Sequence, residues 1–155
     1  MRRRRPEKRK ILPDPIFKDL VVAKFVNYLM WDGKKSVAEK IFYNSLDIIK
    51  QKIKDEEPIE VFKKALDNTA PVLEVKSKRI GGATYQVRVE VSKSRKMAVA
   101  MRWILSFSRS RKGQNMETRL AAELMAAFNN EGSSIKKKED THKMAEANKA
   151  FAHFR

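Results

Sequence analysis

The side chains with the clearest chemistry in this sequence are basic and come in runs. Arg2, Arg3, Arg4, Arg5, Lys8, Arg9 and Lys10 fill most of the first ten residues. Lys136, Lys137 and Lys138 stand together near the other end, with His142 and Lys143 close behind. Arg102, Arg109, Arg111, Lys112 and Arg119 crowd one stretch between them, and Lys34, Lys35, Lys76, Lys78 and Arg95 are further candidates. Cations at this density repel one another; a polyanion relieves that repulsion, because each neutralised phosphate releases condensed counterions. Catalysis has little to stand on. Cys is absent, and His142 and His153 have no spacing that pairs them at a metal or beside a nucleophile. HExxH and P-loop patterns are missing, and Gly81-Gly82 falls short of a phosphate-cradling GxGxxG. Asp55, Glu56 and Glu57 precede a helix start, where negative charge suits the helix dipole better than acid–base work.

The whole chain carries the same bias. Lys+Arg number 35 against 19 Asp+Glu, a formal charge of +16. Nucleic acid is the first partner that this implies, and an anionic membrane surface the second. No run of about 18 apolar residues exists to span a bilayer. The charged N-terminus lacks the apolar stretch of a secretory signal. Composition alone does not separate RNA from DNA, and there is no RRM signature, zinc finger or KH-type GxxG loop. A length of 155 residues, 42% of them hydrophobic, favours one domain spanning 1–155 with a real core. Met1–Lys10 holds seven Lys or Arg and one Glu, a net +6. This segment, with 11–12 after it, reads as a basic arm that has no order of its own and gains it along RNA.

Apolar periodicity supplies the elements that must position these charges. Asp14-Pro15 reads as an N-cap and first helical position. The helix that follows, from about Pro15 or Asp19 to Met30, sets Phe17, Leu20, Val21, Phe25, Tyr28 and Leu29 on one side, and Gly33 stops it. Ser36 and Glu39 have the spacing of a capping box for a second helix to about Lys54, striped by Val37, Ile41, Phe42, Leu46, Ile49 and Ile53. Pro58 opens a third, with Ile59, Phe62 and Leu66, and Pro71 ends it. A fourth runs from Lys93 to about Arg109 with Met97, Met101, Ile104, Leu105 and Ser108 aligned. Asn115 is the candidate cap of a fifth, faced by Met116, Leu120, Leu124 and Phe128. A last helix and tail occupy 134–155; Ile135 and Met144 are the only large apolar residues before Phe151, too few to bury a face. Trp31 and Trp103, although able to stack on bases, sit among helical apolar positions and read as core.

Between the third and fourth helices the period changes to two. Tyr85, Val87, Val89 and Val91 alternate with Thr84, Gln86, Arg88 and Glu90. Gly81-Gly82 suits a two-residue hairpin turn, giving a ribbon over 72–91. In that register Ile80 faces Ala83, Lys78 faces Tyr85, Lys76 faces Val87 and Val72 faces Val91. The base of one face is then apolar, through Val72, Val87, Val89 and Val91, and Arg79 and Arg88 lie on the other. Strands of eight residues reach about 26 Å, so the tip projects. A lone two-stranded ribbon is marginal in water, which favours a partner at the tip. The fold class is therefore mainly α: a six-helix body with a protruding two-stranded antiparallel β-hairpin between helices three and four.

The stretch KSKRIGGATYQV, Lys76–Val87, resembles the hairpin motif of the S-seven family of small-subunit ribosomal proteins in its bacterial form, and EDTHKMAEANKAFAHF, Glu139–Phe154, resembles its C-terminal motif. LMWDGKKS (Leu29–Ser36), METRLAAEL (Met116–Leu124) and the PDP entry at Pro13–Pro15 match in the same order. The resemblance covers nearly the whole chain. It implies an RNA-binding constituent of the cytoplasmic ribosome with no cofactor and no catalysis. It implies primary binding to the 3′ domain of small-subunit rRNA, which nucleates the subunit head, and a seat at the interface near exit-site tRNA and mRNA. The residues placed there are Arg79, Ile80, Gly81, Gly82, Ala83 and Thr84, with Lys149 and Arg155. The implied neighbours are proteins nine, eleven, thirteen and nineteen of the small subunit. One departure stands out: many relatives read YQVPVEV where this chain reads YQVRVEV, with Arg88 in place of proline. A DNA-compacting or regulatory protein fits the composition but not these motifs, and an RNA-modifying enzyme lacks its catalytic constellation.

Overall fold

A computed structural model describes residues 9–150 of the chain. Among them are six α-helices and one two-stranded sheet: α1 (Leu20–Leu29), α2 (Lys35–Lys52), α3 (Pro58–Thr69), β1 (Leu73–Ile80), β2 (Ala83–Glu90), α4 (Lys93–Ser110), α5 (Met116–Phe128) and α6 (Gly132–Ala147). The expected architecture of six helices with a hairpin after the third is observed. Three phenylalanines knit the first three helices together. Phe25, Phe42 and Phe62 are fully buried, with ring centroids 5.0–5.5 Å apart in tilted and edge-to-face pairs, the arrangement that aromatic quadrupoles favour. α5 runs against α2, α3 and α4, and Leu120, Ala121, Leu124 and Ala127 fill the space between them.

Of the two helix starts that the sequence offers, the later one is observed. Asp14 does not start the first helix. Its carboxylate accepts the N–H groups of Ile16 and Phe17 at 3.1 and 3.0 Å, and its carbonyl accepts that of Lys18, closing a single turn. Lys18 then takes φ 51°, the left-handed region that ends a helical run. Asp19 is the true cap, accepting from the N–H of Val21 at 2.7 Å. Asp14 is itself buried and accepts a 2.8 Å bond from the Tyr43 hydroxyl, pinning the entry segment to α2. Burial and the adjacent Asp14 carboxylate push the Tyr43 phenol well above its ordinary range. The later start also changes the buried side of α1, which consists of Val22, Ala23, Phe25, Val26 and Leu29. Leu20 and Tyr28 are exposed, and Phe17 lies outside the helix against Tyr43.

The capping box is likewise absent. Asp32 and Gly33, at φ 53° and 72°, turn the chain so that α2 begins at Lys35 and Ser36 falls inside its first turn. Glu39 pairs instead with Lys35 at 3.7 Å, and Val37 is exposed. Asn115 precedes α5 without a side-chain cap. α3 matches its reading, opening at Pro58 and ending before Pro71.

The ribbon has the expected register: Ile80 pairs with Ala83, Lys78 with Tyr85 and Lys76 with Val87. Gly81 and Gly82 take φ 57° and 89°, the two positive angles that a tight hairpin turn of this length requires. Arg88 keeps its place opposite Val75. Val87 and Val91 are buried in the base, but Val72 is half exposed. It precedes the first strand, where its backbone rather than its side chain makes the attachment.

Candidate nucleic-acid interface

Some of the basic residues named from sequence bond to groups of the protein and others stand on the surface; Arg95 and Lys76 do both. Arg111, Arg109 and Arg119 belong to the first group, each partly exposed and bonded to groups of the protein. Arg111 reaches the fully buried Glu123, giving its Nε and Nη2 to one carboxylate oxygen at 3.0 and 2.7 Å. The other oxygen accepts from the backbone and hydroxyl of Ser134, so this carboxylate ties α6 to the α4–α5 loop. A buried charge is tolerable only when paired and hydrogen-bonded in this way. Gly132 stands beside it at φ 88°, where a Cβ would lie 3.0 Å from that of Ala126. Arg119 donates to the carbonyls of Arg109 and Arg111 at 3.1 and 2.7 Å. Arg109 in turn donates to the carbonyl of Leu29 at 3.1 Å. These three arginines serve as α4 C-terminal caps and crossties.

Two more candidates fix the ribbon. Arg95 gives its Nε to both oxygens of Glu74 at 2.8 Å, joining α4 to β1, and Lys76 lies 3.4 Å from the same carboxylate. His142 accepts the Val72 N–H through its Nε2 at 3.0 Å, which requires the imidazole to be neutral at that nitrogen. Burial, with the nearby Lys138 charge second, holds its pKa below the ordinary histidine value against the opposing pull of Glu146. Lys138 donates to the carbonyl of Asn68. A cleft of about 460 Å³ opens where these elements meet, lined by Glu74, Arg95, Arg102, Trp103, Thr141 and Met144 among others.

The remaining candidates point outward. Lys136, Lys137 and Lys143 are exposed along α6, Arg102 on α4, and Lys112 in the loop after it. Lys34 and Lys35 are exposed in the α1–α2 turn and the first residue of α2. On the ribbon, Lys76, Lys78, Arg79, Gly81, Gly82, Ala83 and Thr84 are exposed, with Ile80 partly covered. Arg9, Lys10 and Lys149 are exposed as well. Arg2, Arg3, Arg4, Arg5, Lys8 and Arg155 lie outside the described residues, as does most of the basic arm. Trp103 is half-buried in the cleft. Trp31 departs furthest from its reading: it is 67% exposed in the turn after α1, with the Arg109 guanidinium 4.9 Å over its ring. The Asp-Gly pair that follows it signalled a turn, and with it an exposed position. Glu123 had no such signal, since its spacing on α5 is that of an ordinary polar residue.

Among the described residues, no group of acidic, His or Cys side chains could hold a metal ion, and no helix is long and apolar enough to cross a membrane. The arrangement is a helical body with cations along α6, at one end of α4 and up a projecting ribbon. It can hold an extended or folded phosphate backbone over several elements at once.

Comparison with known proteins shows the family. The family model described as ribosomal protein S7p/S5e matches residues 1–149. The small ribosomal subunit protein uS7 of Thermotoga neapolitana is 57% identical over 155 residues, covering all of this chain and 99% of the relative. Its namesake in Anaeromyxobacter sp. (strain Fw109-5) is 60% identical over 154 residues, covering 99% of this chain and 98% of the relative. That of Caulobacter sp. (strain K31) is 57% identical over the same length and shares.

Proposed function

Since the chain belongs to the ribosomal protein S7p/S5e family and is a structural protein of the small ribosomal subunit rather than an enzyme, we propose that it is a primary rRNA binder that holds the 3′ domain and so nucleates the subunit head. The observation that carries this reading is the division of its cations. Arg95, Arg109, Arg111, Arg119 and Lys138 brace the fold, which fixes the geometry of α4, α6 and the ribbon. Lys136, Lys137, Lys143, Arg102, Lys112, Lys34 and Lys35 then stand on a rigid frame, exposed to phosphate. A folded RNA domain is matched by such a fixed array better than a flexible strand is.

The ribbon tip has a second task in this reading. Arg79–Thr84 lies beyond the part of the ribbon that packs on the body, and it carries too little apolar surface to matter for stability. It meets exit-site tRNA beside the mRNA path. The basic arm of 1–12 follows rRNA. Proteins nine, eleven, thirteen and nineteen of the small subunit are its neighbours in the head, in the cytoplasm.

Sedimentation of cell extract at high salt tests the central part. Tagged protein stays quantitatively with small subunits if it is an integral rRNA binder. Release into the free pool refutes this and favours a loosely bound regulatory or DNA-compacting protein.

A further inference from the structure

We propose that Trp31 is a stacking platform for one unpaired nucleobase of the rRNA, a contact that rests on the rRNA-binding reading and adds to it a site of different chemistry. The ring is two-thirds exposed, which leaves aromatic surface open to a ligand. One of its faces is taken by the Arg109 guanidinium, 4.9 Å from the ring centroid, within the range of a cation–π contact.

The platform is rigid. Arg109 is held by the carbonyls of Leu29 and, at 3.5 Å, Tyr28, and its own carbonyl is held by Arg119. The turn that presents Trp31 is set by positive φ at Asp32 and Gly33 and closed by a 2.9 Å bond from the Lys34 N–H to the Trp31 carbonyl. A ring fixed in place loses little freedom when a base lands on it. Arg109 behind the ring, with a planar guanidinium that itself stacks on π systems, leaves the opposite face for the ligand.

The surroundings select nucleic acid over an apolar peptide. Lys34 and Lys35 follow Trp31 in the same turn and the helix start after it, and Lys112 lies three residues past Arg109. All three are exposed. An exposed aromatic ring with exposed cations close by in the chain is the combination that binds a base and its phosphates together, and stacking is tolerant of base identity.

The test uses the full chain and an in vitro transcript of the 3′ domain of small-subunit rRNA. Trp31→Leu removes the platform without removing a charge. Its affinity for the transcript is expected to fall about 5- to 150-fold, the equivalent of one lost base stack. The salt dependence of binding keeps its slope, since no phosphate contact is lost, and the unfolding midpoint is unchanged. Trp31→Phe restores most of the affinity. The fluorescence assigned to Trp31, taken as the difference between wild type and Trp31→Phe, is quenched by the transcript. Wild-type affinity in Trp31→Leu, with that fluorescence untouched by RNA, overturns the platform. So does quenching by other small-subunit proteins and not by the transcript, which would give this face to a protein. Failure of the wild type to bind the transcript at all refutes the rRNA reading itself and is seen before any variant is compared.

Discussion

Arg111 and Lys112 are adjacent and take opposite roles: one guanidinium is spent on buried Glu123, the other cation stands in solvent. Composition cannot separate them, because the difference lies in a carboxylate twelve residues away. Arg111→Met is expected to lower stability by about 1.5–3 kcal/mol, the range for a hydrogen bond to a charged group whose partner stays buried. Denaturant unfolding measures this, and Lys112→Gln should leave the midpoint in place while weakening rRNA binding. A reversal of the two effects would make Arg111 the phosphate contact and Lys112 the brace. His142 was also a candidate RNA contact, and its bond to the Val72 N–H gives it work inside the fold. Its folded pKa is depressed, by burial first and then by Lys138. Below the unperturbed value of about 6.5 the unfolded chain binds a proton that the folded chain resists. The stability it confers is thus present above that pH and fades as pH falls. Hydrogen exchange at the Val72 amide, corrected for intrinsic rate, should lose protection as pH falls below about 6.5. In His142→Ala that protection is low throughout; an identical fall in the variant would show that another group titrates.

The elements differ in how far their sequences announced them. The ribbon was legible to the residue because alternation and a Gly-Gly turn together leave one register. α3 was legible because proline marks both its boundaries. α1 was not: it is apolar on nearly every side, so its stripe had no polar contrast, and two aspartates competed to cap it. α6 was read correctly as a weakly buried helix, with Ile135 buried and Met144 exposed, but its small contacts Ser134 and Ala145 carried no pattern. Its exposed side gives a prediction. Replacing Lys136, Lys137 and Lys143 by Gln should flatten the log–log salt dependence of rRNA binding by about 0.7–0.9 for each phosphate contact removed, with the unfolding midpoint held. An unchanged slope would mean that α6 faces away from phosphate. For the ribbon, joining Lys76 to Val87 through a new two-residue turn removes the tip and keeps Val87 and Val91 in place. Head assembly should survive while exit-site tRNA retention falls and frame errors rise in a reporter. Loss of head assembly with normal frame in the surviving ribosomes would make the tip an rRNA anchor.

At the scale of the molecule, a net charge of +16 is a liability for a free protein and an asset on rRNA. Pairs such as Arg111 with Glu123, Arg95 with Glu74 and Lys63 with Asp19 at 3.1 Å brace the fold and leave that net charge unchanged. A polyanionic partner was legible from charge and RNA from the motifs, whereas which cations pair inside the fold was not, because internal pairing depends on tertiary neighbours. The most direct test of the account is competitive binding of the full chain to three separate transcripts, the 5′, central and 3′ domains of small-subunit rRNA, at fixed salt with duplex DNA as a fourth competitor. Selective, salt-sensitive binding to the 3′ domain, with cross-links from Lys136, Lys137 and Lys143, is the predicted result; equal affinity for all four would contradict it.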